Sequence, residues 1–180
     1  MERFVSNILP YVPGCPVVLI KAETLRVATE FCRKTHIWQA VEESTATEGD
    51  ETITLSPASG DVVGVKVEIN DREISDYTLS GTTVTLEDEL SEDDSIKVTL
   101  YLTPERDATE LPDILYNEWL EGISAGVRAN LMLMPEKPWS TPNMVMIHAQ
   151  TYQHQIGQAL LQARKKNVRE PMRMRLRPWI

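Results

Sequence analysis

The sequence predicts an α+β chain: a helical bundle core of three main helices, an inserted small antiparallel β module and an extended C-terminal tail. Three observations predict it. Apolar residues recur every three or four positions towards both ends, the spacing of amphipathic helices. Between them the pattern switches to strict alternation, the spacing of strands. The last residues then turn strongly cationic. The predicted boundaries are 1–50 and 104–166 for the helical core, 51–103 for the β module and 167–180 for the tail.

The first helix lies in "CPVVLIKAETLRVATEFCRKTHIW". Val18, Ala22, Leu25, Ala28 and Cys32 form its expected apolar stripe, widened by Ile20, Val27 and Phe31, and Pro13, Gly14 and Pro16 punctuate its start. From about Glu51 to Thr103 the period is two. Val63, Val65, Val67 and Ile69 alternate with Gly64, Lys66 and Glu68, and Ile96, Val98, Leu100 and Leu102 alternate with Lys97, Thr99 and Tyr101. Ser80-Gly81 reads as a hairpin turn, and four or five short antiparallel strands forming a small sheet or sandwich are expected. Their acidic connections discourage edge-to-edge aggregation.

The second helix spans "ELPDILYNEWLEGISAGVRANLMLM", with Pro112 suited to its first position and Leu115, Trp119, Ile123, Val127, Leu131 and Met134 as its stripe. Gly122, Ala125, Gly126 and Ala129 are small enough to admit another helix closely. The glycines each cost about 1 kcal/mol relative to alanine, so packing must compensate. After the proline-bounded "MPEKPWSTP", Thr141 and Pro142 open the third helix, which runs to about Lys166. It is expected to bury Val145, Ala149, Tyr152, Ile156, Ala159, Leu160 and Ala163, leaving a glutamine face that includes Gln155, Gln158 and Gln162.

Length and composition suit one globular domain with a modest insertion: 180 residues, 42% hydrophobic and 25% charged. No apolar run matches a bilayer span, and "MERFVSNILPYVPG" lacks the features of a signal peptide, so an intracellular protein with no membrane partner is expected. Cys15 and Cys32 offer neither a disulfide framework nor zinc spacing.

Charge is divided along the chain. Against a net charge of −9, residues 164–180 hold seven Lys/Arg and one acid, whereas 42–113 hold 20 acids and four basic residues. Opposite signs on one chain favour docking to a charged partner or to a second copy.

The search for chemistry yields no catalytic set, metal site or cofactor site. His148 and His154 fall on different faces of the third helix and read as surface or cap residues. Cys32 and His36 stand at i and i+4, but Cys32 belongs to the core stripe and a nucleophile needs exposure. "SPASGD" has no following lysine and is no phosphate loop. The tail "REPMRMRLRPWI" remains. Its alternation puts Arg173, Arg175 and Arg177 on one edge and Met172, Met174 and Leu176 on the other, ending in Trp179 and Ile180. With Arg169, these residues suit a docking peptide that adds to a sheet edge or enters a groove, with arginines forked on carboxylates.

Two stretches carry a resemblance. "VPGCP…AxxFCRKTxxW" (Val12 to Trp38) and "LPDxLYxxW…MPxKPWSxP" (Leu111 to Pro142) resemble the head-to-tail adaptor proteins (connector, head-completion) of tailed bacteriophages. The resemblance implies a non-enzymatic virion protein made in the host cytoplasm and located at the neck, the portal–tail junction. It implies a ring, usually of twelve copies, beneath the portal protein and above a downstream tail or neck protein. Double-stranded DNA would pass through its channel without sequence-specific binding. The tail would dock on the portal or a neighbouring subunit, and Gly122, Ala125, Gly126, Ala129, Gln155, Gln158 and Gln162 would serve subunit packing. The alternative is a small DNA-binding or packaging accessory protein that sets the tail arginines on phosphates, with Trp179 stacking on bases.

Overall fold

A computed structural model describes residues 1–45, 49–87, 89–91 and 94–166. Among these residues the chain is α+β as expected, but five α-helices replace the expected three, and the antiparallel β module is built as two sheets. The helices are α1 (Glu2–Ile8), α2 (Val17–Thr35), α3 (Asp113–Asn117), α4 (Leu120–Met132) and α5 (Pro142–Lys166). The strands are β1 (Gln39–Thr45), β2 (Thr52–Thr54), β3 (Asp61–Ile69), β4 (Arg72–Ile74), β5 (Tyr77–Ser80), β6 (Thr83–Leu86) and β7 (Ser95–Thr103).

Two corrections to the helix count have physical reasons. At 7 residues α1 is too short to hold alone. It forms because Phe4, Val5 and Ile8 bury themselves in the main core. The helix expected over Glu110–Met134 breaks between α3 and α4, where Trp119 leaves helical geometry at φ −123° and ψ 12°. Its ring is buried there against Phe31, with centroids 5.5 Å apart.

The buried stripe of α2 is also rotated from the expected one. Val18 is 80% exposed, and the core face is Ile20, Thr24, Val27, Ala28, Phe31, Cys32 and Thr35. Threonines can join it because their hydroxyls return to the helix: Thr24 Oγ1 donates to the Ile20 carbonyl and Thr35 Oγ1 to the Phe31 carbonyl, both at 2.7 Å. A reading by hydropathy alone undervalues such residues.

The four-stranded sheet runs β1-β7-β3-β4 and the three-stranded sheet β2-β6-β5, every pair antiparallel. Seven strands thus stand where four or five were expected, and the first of them precedes Glu51. The two sheets close on a second core made by Leu55, Val65, Val67, Val84, Leu86, Val98, Leu100 and their neighbours. Tyr77 ties them together by donating its hydroxyl to the Val65 carbonyl at 2.7 Å. Asn70 and Asp71, both at positive φ, turn β3 into β4, and the β5–β6 turn uses Gly81 at φ +61°.

Trp38 joins the two bodies. It packs on both hydrophobic cores, and its carbonyl accepts a hydrogen bond from the Leu102 amide at 2.9 Å. Beside it His36, the left-handed C-cap of α2, stacks on Tyr101 at 4.4 Å. Gly60 lies over the indole; a Cβ there would stand 2.6 Å from Trp38 Cη2 and 2.7 Å from the Thr103 carbonyl oxygen.

Candidate assembly surface

The small residues of α4 are used inside the chain. Gly122 faces the Gln155 side chain, where an added Cβ would come within 2.8 Å of the glutamine Cβ. Gly126 is held between Val27 of α2 and the Tyr152 ring of α5, 2.9 and 3.0 Å from such a Cβ. Ala125 and Ala129 are buried in the same bundle. The close approach expected of this stripe is therefore made by α2 and α5 of the same chain. Of the glutamines, Gln155 covers Gly122, Gln162 donates to the Glu118 carboxylate, and Gln158 is exposed and bonds His154 at 3.0 Å.

From Met146 to Leu161 what α5 presents outward is uncharged, and Arg164 and Lys165 end that face. Met146, Gln150, Gln153, Gly157 and Leu161 recur at helical spacing and all are exposed, Met146 at 65% and Leu161 at 60%. Ile147, 54% exposed, widens the apolar end. The helix contains none of the 27 acidic residues, and at 25 residues it is about 37 Å long. A long helix face without charge has nothing to repel a neighbour, whereas the acidic sandwich does.

Sequence reasoning missed a polar knot that fastens the N-terminus. Arg128 is almost fully buried in α4. Its guanidinium donates to Glu121 Oε1 at 2.8 Å, to the Asn7 carbonyl at 3.0 Å and to the Asn7 side-chain oxygen, and lies 3.9 Å from the Tyr11 ring centroid. His148 meets the same ring edge-on, at 5.6 Å. The structure corrects the expectation that His148 is a surface or cap residue: it is buried, and its Nε2 has no hydrogen-bond partner. Burial, with the Arg128 charge adding to it, lowers the His148 pKa. The available signal was an arginine set among the small and apolar residues Ile123–Ala129 with Glu121 two turns before it, because a buried guanidinium must find partners.

Neither cysteine is poised for chemistry. Both are buried, and burial raises the Cys15 pKa and pushes the Cys32 thiol up to about 12. Among the described residues, no group of three or more His, Cys, Asp or Glu could hold a metal ion, and no helix is long and apolar enough to cross a membrane. The expected docking residues Arg169, Met172, Arg173, Met174, Arg175, Leu176, Arg177, Trp179 and Ile180 lie outside the described residues. No protein-family model and no curated protein matches this chain.

Proposed function

We propose that this chain is a structural virion protein that forms a ring under the portal of a tailed bacteriophage, joins head to tail and continues the DNA channel. The observation that carries the reading is the division of one small chain into unlike surfaces. One is an acidic sandwich, another the uncharged outward face of α5, and the third a cationic C-terminal segment. Unlike surfaces on one protomer suit heterologous, head-to-tail contacts, and such contacts close into rings when the rotation between copies allows. The resemblance of Val12–Trp38 and Leu111–Pro142 to phage adaptors supplies the setting.

In this reading the helical body and α5 make the contacts between copies. The tail, residues 167–180, engages the portal or a neighbouring subunit through arginine–carboxylate pairs. Carboxylates of the β module facing the channel would repel DNA phosphates, so the duplex passes without being held. The portal protein, a downstream tail or neck protein and other copies of the chain are the partners; no catalytic step is assigned.

The test is electron microscopy of the purified protein mixed with portal assemblies, alongside DNA binding at several salt concentrations. A ring at the portal face and no affinity for free DNA are expected. No ring, together with salt-sensitive DNA binding lost on Arg173, Arg175 and Arg177→Ala, would overturn the reading in favour of a DNA-binding accessory protein.

A further inference from the structure

In the main core α4 runs antiparallel to both α2 and α5, and the contacts between the helices set their levels. Gly126 of α4 meets Val27 of α2 and Tyr152 of α5. Trp119, before α4, meets Phe31 near the end of α2, and Gln162 near the end of α5 bonds Glu118. The start of α2, the end of α4 and the start of α5 therefore share one end of the bundle. There the Thr141 amide donates to the Met132 carbonyl at 3.2 Å and ties α5 to α4. The sandwich joins the opposite end, through Trp38 just beyond α2.

The end away from the sandwich gathers exposed apolar side chains. Val17 and Val18 of α2, Leu133 after α4, and Met144, Met146 and Ile147 of α5 are six of the ten large hydrophobic side chains exposed among the described residues. Charge avoids the same place. Residues 4–20, 129–135 and 138–163 contain no Asp, Glu, Lys or Arg, and the loop between α4 and α5 holds only Glu136 and Lys137, of opposite sign. Single apolar residues are ordinary on a protein surface, but a group of them poor in charge has the composition of an interface centre. With side chains 38–80% exposed, the group presents apolar surface on the order of 500 Å², most of the roughly 800 Å² that each partner buries in a specific interface.

The fitting occupant is a second copy presenting the same end. Residues 42–113 hold 20 acids against four basic residues, so copies that meet through their sandwiches oppose like charges. Two bundle ends placed together keep the sandwiches at opposite poles. They also bring no net charge into the contact, because Glu136 and Lys137 cancel. Apolar surface then leaves water on both partners at once, which is the main favourable term in association.

We propose that two copies of the chain meet end to end through this apolar end of the helical bundle, in a two-fold contact that covers Val18 and Met146, the most exposed of the six. Such a contact is isologous, the same patch serving both partners. It leaves the outward face of α5 beyond Gln150 open and does not depend on the ring.

Sedimentation velocity of the full-length chain without portal, over a dilution series through the micromolar range, tests it. A dimer is expected, and added salt should not weaken it, since apolar burial is not screened. Val18→Lys and Met146→Lys should each weaken it about tenfold or more, because each would bury a charge without a partner. Leu161→Lys, towards the other end of α5, and Val41→Lys, on the sandwich, add the same charge and should leave it unchanged. All four positions are exposed, so circular dichroism should report one fold throughout. A chain that stays monomeric into the hundreds of micromolar would overturn the proposal and assign this end to a different partner. Association that persists in Val18→Lys and Met146→Lys, or that salt dissolves, would overturn it too. So would equal weakening by Leu161→Lys, which would place the contact along α5. A missing ring on portal leaves the dimer untouched, so the two readings fail separately.

Discussion

Replacing Gly60 by alanine should loosen the sandwich from the helical body, and Gly81→Ala supplies the comparison that isolates the cause. Both glycines have positive φ, +81° at Gly60 and +61° at Gly81, so both variants incur the backbone cost of an L-residue in the left-handed region, about 1 kcal/mol. Gly81 has nothing within 4 Å of its added Cβ and carries only that term. At Gly60 the Cβ meets Trp38 Cη2 at 2.6 Å and the Thr103 carbonyl oxygen at 2.7 Å. Neither can give way easily. Trp38 is wedged between two cores, and Thr103 is the backbone of β7. Overpacking of this kind costs roughly 1–3 kcal/mol more. In a domain of this size each kcal/mol moves Tm by about 2–4 °C. Gly81→Ala should thus lower Tm by about 2–4 °C and Gly60→Ala by roughly twice to four times as much. Differential scanning calorimetry reads both. Equal shifts would refute the role of Trp38 as the peg between the two bodies.

Two further predictions concern the helical bundle. Gly122→Ala should lose about 1–2 kcal/mol in urea unfolding, because the added Cβ would stand 2.8 Å from the Gln155 Cβ, which is fixed to the α5 backbone and moves only if the two helices part. Gly126→Ala should lose a similar amount, since Val27 and Tyr152 are both buried; stabilisation by either change would contradict the observed packing. His148 should make stability fall with acid. Its folded pKa is lowered, so the unfolded chain takes up the proton first, and the contribution, complete above the unfolded value of about 6.5, declines as pH falls through that value towards the folded one. His148→Gln should flatten the decline of unfolding free energy between about pH 7 and pH 5, and an unchanged slope would show that another group governs it.

The difference between what was legible in the sequence and what was not follows from the range of the forces involved. α5 was legible nearly to the residue because Pro142 opens it and a long one-sided pattern persists to Ala163. The alternation of β3 and β7 was legible because their inward residues share one face. α1 was not, since its three buried side chains matter only once α4 lies beside them. β1, half polar and rich in acids, has little strand signal of its own and is held by pairing with β7.

The candidate surfaces divide in the same way. Charge segregation and the Arg–Met–Arg–Leu–Arg alternation are properties of the sequence alone, and the tail itself lies outside the described residues. Tertiary structure decided that Gly122 and Gly126 admit the chain's own α5 and α2, and that Arg128 and His148 share the Tyr11 ring. Periodicity and charge act between near neighbours along the chain and can be read from it. The partner of a glycine, a buried guanidinium or a strand edge lies tens of residues away, and only folding brings it there.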